Sequence, residues 1–125
     1  MAIDGMNDWL KKLETLKKDF PRETGRFLMT KAEETIGYVK KYPGHKSHTG
    51  ALKDSWFREN GGSFRQIVYN NTSYAAHVEY GHRIVRKKET IGFVKGRRML
   101  HRGMKRTRLS FYRDLEVMYK NLISR

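Results

Sequence analysis

The 125-residue sequence contains no cysteine and only two prolines. Without thiols there is no disulfide framework, no thiol nucleophile and no zinc ribbon, a pattern that fits a reducing compartment. Long apolar runs are missing too. The longest are three residues, such as Phe27-Leu28-Met29 and Ile67-Val68-Tyr69, far below the ~20 a membrane helix requires. No secretory pattern is read at the amino terminus, so the expectation is a soluble, cytoplasmic protein with no membrane contact. Acidic residues are outnumbered: 27 Lys+Arg face 13 Asp+Glu, a formal charge of +14. Self-repulsion on that scale opposes compaction and predicts an anionic or acidic partner. What is present suffices for one core: 38% apolar and 12% aromatic residues in a chain the size of one domain, ~100–200 residues.

Met6, Trp9, Leu10, Leu13, Leu16 and Phe20 recur at three- and four-residue spacing, with Lys11, Lys12, Lys17 and Lys18 elsewhere. This predicts an amphipathic helix that stops before Pro21. A second helix is expected from Pro21 to about Lys41, with Leu28, Ala32, Ile36 and Val39 on one stripe and Gly25 and Gly37 as weak points. The turn-rich string from Tyr42 to Gly50 marks a switch to extended periodicity. Leu52 to Asn60 reads as a strand, Gly61-Gly62 as a hairpin turn, and Phe64 to Asn70 as the returning strand. Tyr74 to Glu79 suggests one or two helical turns capped by Ser73. Leu100, Met104, Phe111, Leu115, Met118 and Leu122 then share a face of a long C-terminal helix from about Arg97, with Gly103 its weak point. The expected fold is α+β: two N-terminal helices, a small antiparallel sheet of three to four strands with a Gly-Gly hairpin, and a long C-terminal helix, all in one domain spanning 1–125.

Chemical signatures are few. Five histidines, including His45 and His48, have no carboxylate-bearing metal motif around them, so no metal and no cofactor are expected. Gly92 and Gly96 lack the Gly-Lys-Ser/Thr ending of a phosphate-cradling loop. His77 and Glu79 could serve a nuclease as acid and base if a strand placed them on one face, whereas a helix would turn them ~200° apart. The plainer alternative for Glu79 is an ion pair with a nearby arginine. The dominant feature is charge: eleven Lys/Arg and one acid lie between His82 and Arg108, holding +10 of the +14. With Tyr80, Phe93, Phe111 and Tyr112 nearby, that segment has the composition of a nucleic-acid-binding face. It serves equally to cover an acidic protein neighbour, or as a solvated surface.

Three segments in order resemble a known family. Thr49-Gly50-Ala51-Leu52-Lys53-Asp54-Ser55 is similar to its Thr-Gly-x-Leu-x-x-Ser element. Tyr74-Ala75-Ala76-His77-Val78-Glu79-Tyr80-Gly81 is similar to Tyr-Ala-x-x-Val-Glu-aromatic-Gly, and Val94-Lys95-Gly96-Arg97-Arg98-Met99-Leu100 to Gly-x-x-Met-Leu. The family is the phage tail-component family named after gene product ten of phage HK-ninety-seven. In one departure, relatives carry proline only a few residues before Thr-Gly, whereas Pro43 and Thr49 are further apart here. The resemblance implies a non-enzymatic structural protein of the head-to-tail connection or tail-completion apparatus of a phage or prophage. It would act in the virion and, during assembly, in the host cytoplasm. Its implied partners are other neck or tail proteins and copies of itself in a homo-oligomeric ring. The motif positions are Thr49, Gly50, Leu52, Ser55, Tyr74, Ala75, Glu79, Gly81, Gly96, Met99 and Leu100. The segment after Gly81 reads as a Lys/Arg-rich arm, His82 to Lys95, mobile in the free monomer and ordered on assembly. Arg83, Arg86, Lys87, Lys88, Arg97 and Arg98 are the expected interface cations, touching acidic neighbours or, non-specifically, double-stranded DNA. A sequence-independent nucleic-acid-binding module and a small nuclease are the alternatives.

Overall fold

A computed structural model describes residues 4–41 and 50–124. The architecture is α+β, built on two long helices. Helix α1 spans Asp4–Val39 and the last helix, α4, spans Met99–Ile123, about 54 and 37 Å at 1.5 Å per residue. Between them lie a short helix α2 (Ala51–Asp54), strands β1 (Trp56–Gly62) and β2 (Arg65–Asn70), helix α3 (Ala75–Tyr80), and strands β3 (Gly81–Arg86) and β4 (Glu89–Lys95).

α1 and α4 run antiparallel. Val39 meets Gly103, Thr35 meets Thr107, Lys31 meets Asp114, and the Phe20 ring stacks on Tyr119 at 5.2 Å. The seam is narrow because its residues are small. A Cβ at Gly103 would overlap the Val39 side chain and come within 3.1 Å of the Val39 nitrogen, so this glycine sets how closely the helices approach. The Thr35 and Thr107 hydroxyls, both buried, lie 2.7 Å apart across the seam. Lys31, only 5% exposed, donates from Nζ to Asp114 at 2.5 Å and to Glu34 at 3.0 Å. Burial alone would lower its pKa; the two carboxylates outweigh that and raise it. Asp114 is shifted the opposite way, its carboxyl held below the ordinary aspartate range by the hydrogen bond from Lys31.

The two helices expected before residue 42 are one. Pro21 lies inside α1, where it removes the amide that would bond the Lys17 carbonyl. Packing on both sides carries the helix through: Phe20 contacts Tyr119 from α4 and Phe64 from the first hairpin, at centroid distances of 5.2 and 6.1 Å. The amphipathic stripe ahead of Pro21 is only partly used. Leu13, Leu16 and Phe20 meet Tyr119, Leu122 and Ile123, whereas Met6, Trp9 and Leu10 extend past the end of α4 and are about half exposed.

The sheet also differs from expectation. There is no three- or four-stranded sheet among the described residues but two separate antiparallel hairpins, β1-β2 and β3-β4. In the first, Leu52 belongs to α2 rather than to a strand, and the turn falls at Ser63-Phe64, between paired Gly62 and Arg65. Gly61-Gly62 forms the bulged strand end instead; the bulge consumes the extra residue and moves the turn along the chain. Asn70 ends β2: its amide donates to the Leu52 carbonyl at 2.7 Å and its Oδ1 accepts from the Thr72 N–H at 2.9 Å. The core lies at this end of the helix pair. Val39, Leu52, Trp56 and Met99 are buried together, with Ile36, Val68, Ala75, Val78 and Leu100 packed around them.

Candidate functional site

Motif positions Glu79, Gly81, Gly96, Met99 and Leu100 meet at one junction, where α3, the root of the second hairpin and the start of α4 come together. α4 begins after Arg97-Arg98, with no Ser, Thr, Asp or Asn in the capping position and no side-chain cap of its own. Its first amides would be left without acceptors. Glu79, on α3 and 7% exposed, supplies the acceptors from a distance. Its two carboxylate oxygens accept from the Leu100 N–H at 2.8 Å and the His101 N–H at 3.0 Å, where a negative charge also complements the helix dipole. The chain between is fastened by the Arg97 N–H donating to the Val78 carbonyl at 2.7 Å and the Arg98 N–H to the Glu79 carbonyl at 3.1 Å.

Gly81 and Gly96 complete the junction. A Cβ on Gly96 would overlap the Glu79 carbonyl oxygen and stand 2.7 Å from the Gly81 nitrogen. One on Gly81 would overlap the Val94 carbonyl oxygen and stand 2.7 Å from the Gly96 nitrogen. Two backbones cross here with no room for side chains, and Gly81 adds a φ of +83°. The other motif positions among the described residues are structural as well. Leu52 and Met99 are core, Ala75 and Leu100 pack against it, and Ser55 ends α2 while its carbonyl accepts from the Asn71 N–H at 3.0 Å. Gly50 precedes α2 with φ +68°, and Tyr74 precedes α3 with its ring part exposed. Thr49 lies outside the described residues, as do His45, His48 and Pro43.

Beyond the junction the sequence reading missed an element. The expected arm, His82 to Lys95, is the antiparallel hairpin β3-β4, with Arg83 opposite Phe93, His82 opposite Val94, Arg86 opposite Glu89 and a register shift between Ile84 and Val85. Its turn is Lys87-Lys88, at φ 51° and 65°. A two-residue turn with both φ positive belongs to Asn-Gly or Gly-Gly. Lysine pays roughly 1–2 kcal/mol per residue for that conformation. The hairpin rests on the core only at its root. Ile84, Val85, Ile91, Phe93 and Val94 are all substantially exposed, Phe93 by 66%. Strand alternation puts Ile84 and Val94 on one face and Val85 and Phe93 on the other, so both faces show apolar side chains to solvent. A lone two-stranded hairpin of this kind is marginally stable in water.

The predicted interface cations therefore do not form one patch. Arg83, Arg86, Lys87 and Lys88 sit on the hairpin, the last two at its tip, while Arg97 and Arg98 sit at its root. With six to seven residues per strand, root and tip are about 20 Å apart. All six are exposed, and none has a carboxylate partner among the described residues. His77 and Glu79 lie on a helix, not a strand, and so diverge. Glu79 is taken up by backbone amides, which replace the expected arginine as its partner. The His77 ring faces His82 at 5.4 Å. A cleft of about 480 Å³ between α1, β2 and α4 has an apolar floor of Leu28, Ala32, Ile67, Val68 and Phe111, and its lining includes no histidine or carboxylate. No group of three or more metal-ligating side chains occurs among the described residues, and no described helix is long and apolar enough to cross a membrane.

No family model, curated protein or solved structure matches the chain.

Proposed function

We propose that the chain is a non-enzymatic assembly subunit that grips a neighbouring protein with the β3-β4 hairpin. The observation that carries this is the hairpin's exposure on both faces: apolar residues left exposed by the described part of the chain, on a strand pair anchored rigidly at Gly81 and Gly96. Apolar area left in water on both sides of one projection is what an interface buries. The lysine tip supports the same reading. Backbone strain kept at a solvent-exposed turn, where Asn-Gly would relieve it, points to a use for the charges, here an acidic surface on the neighbour. The motif resemblance supplies the setting, a head-to-tail connection or tail-completion complex of a phage or prophage in which the neighbour is a second copy in a ring or another neck or tail protein.

The test is mass determination by light scattering on the purified chain, alone and with candidate neighbours, beside the double variant Ile84→Ser/Phe93→Ser. Both positions are exposed in the single chain, so the variant should melt at the same temperature yet lose the assembled species. Hydrogen exchange supplies a second measure: amides of 82–95 should gain protection on assembly. A double variant that assembles like the parent would remove the hairpin from the interface.

A further inference from the structure

The hairpin is not the only cationic surface. Between 97 and 113 the chain carries seven Lys/Arg and no acid, and these residues lead into and follow the first half of α4. On a helix of 3.6 residues per turn, Arg98, Arg102, Lys105, Arg106 and Arg113 fall within about 100° of one another, beside the buried stripe of Met99, Gly103 and Thr107; Arg106 borders that stripe and lies over the Tyr38 ring, and Arg113 is 3.6 Å from Asp114. All five are exposed. From Arg98 to Arg113 the stripe extends about 22 Å along a straight rod.

From this we infer that the outer face of α4 binds the phosphodiester backbone of duplex DNA. Three features favour a regular polyanion over an acidic protein. The stripe carries cations in series with Leu109 as its one large apolar member, the exposed Met104 and Tyr112 of α4 lying to its sides, whereas the core of a protein interface is depleted in charge and centred on apolar or aromatic anchors, as the neighbouring hairpin supplies. Duplex DNA offers one phosphate per ~3.4 Å along each strand, so a 22 Å row of cations runs beside about six phosphates. The N-terminal amides of α4, which could otherwise hold a single anion, are already occupied by Glu79, so the binding is left to side chains. Arg98 adds an independent sign. It is held at φ 51°, a conformation glycine would adopt without strain, and it heads the stripe. This surface does not depend on the hairpin's role: one concerns protein contact at the projection, the other phosphate contact along the helix.

The experiment measures binding of a 20-base-pair duplex of arbitrary sequence across a salt series, by fluorescence anisotropy. About five phosphate contacts give a slope of log K against log salt of about −4.5. The triple variant Arg98→Gly/Lys105→Ala/Arg113→Ala should lose about 3 from the size of that slope and at least tenfold in affinity. Its fold is checked by circular dichroism, and the double variant Lys105→Ala/Arg113→Ala, which touches no special backbone, should lose about 2 from the slope. Phe93→Ser, which leaves charge unchanged, should keep parental affinity and slope while failing in the assembly assay. An unchanged slope in the double variant overturns the proposal. So does parental binding no tighter than the ~10⁻⁴–10⁻⁶ M of non-specific contact, or equal binding of a heparin fragment of matched charge, which would mean that the regular duplex is not what the stripe reads.

Discussion

At the crossing of Gly81 and Gly96 no atom can be added without moving backbone; a few residues along the same strands, Phe93 and Val85 stand in water. The first region is defined by interactions within the chain: two glycines, a buried carboxylate on helix amides, and Met99 sealed in the core. The second has almost none beyond its own ladder of backbone bonds. Both lie within the stretch that motif comparison marks, which teaches that a recognisable motif and a functional surface need not coincide. Here the motif builds the mount, and the less patterned residues between its halves are the exposed ones to which the proposed contact is assigned.

The comparison is broken most severely at the mount. Gly96→Ala forces a Cβ into the Glu79 carbonyl and should cost about 3 kcal/mol or more, lowering the melting temperature by about 10 °C. The same substitution at the hairpin's Gly92, where a Cβ meets only the Ile84 side chain at ordinary contact distance, should change it little. Next comes the cap. Glu79→Ala strands the Leu100 and His101 amides and should cost about 1–2 kcal/mol in denaturant titration.

The tip sharpens the contrast from the other side. Lys87→Asn with Lys88→Gly places favoured residues at the two positive-φ positions and should stabilise the hairpin by about 1 kcal/mol or more, read as slower exchange of the 82–94 amides, while weakening assembly. A tip variant that assembles as well as the parent would leave the strain without a purpose. The smallest effect belongs to the helix seam. Asp114 has a lowered pKa, so its contribution is present above the unfolded value and disappears as pH falls through the folded one; Lys31 is raised, so its contribution persists until the alkaline limb. Asp114→Asn should therefore lower the melting temperature between about pH 5 and 9 and match the parent at about pH 2, where both lack the charged pair.

Much of this frame was legible beforehand, and the exceptions have physical causes. α4 was visible because Leu100, Met104, Phe111, Leu115, Met118 and Leu122 repeat at helical spacing, although the buried face is centred on Met99, Gly103 and Thr107 and leaves Met104 half exposed. The first hairpin was visible from its β-branched and aromatic content, though its turn was misplaced because a bulge at Gly61-Gly62 is indistinguishable from a turn in sequence. The second hairpin escaped because its turn is Lys-Lys, carrying none of the usual residues, and because cations obscure the alternation of Ile84, Val94, Val85 and Phe93. Pro21 reads as a stop, whereas α1 continues through it with Phe20 packed on Phe64 and Tyr119, contacts distant in sequence and so invisible to a local pattern. The capping role of Glu79 had one available sign: a long helix starting at Arg-Arg-Met, without a local cap, needs an acceptor from elsewhere.

Pro21 has a further effect on how α1 comes apart. With the Lys17 carbonyl lacking its amide, the turn spanning residues 17–21 is the weakest rung of a 36-residue ladder. Upstream of it, Met6, Trp9 and Leu10 find no support from α4; downstream, Lys31, Thr35 and Val39 are locked into the seam. Fraying that begins at the amino end therefore reaches the Met6–Leu10 stretch first, and is opposed from Leu13 onward, where Leu13, Leu16 and Phe20 line up with Tyr119, Leu122 and Ile123.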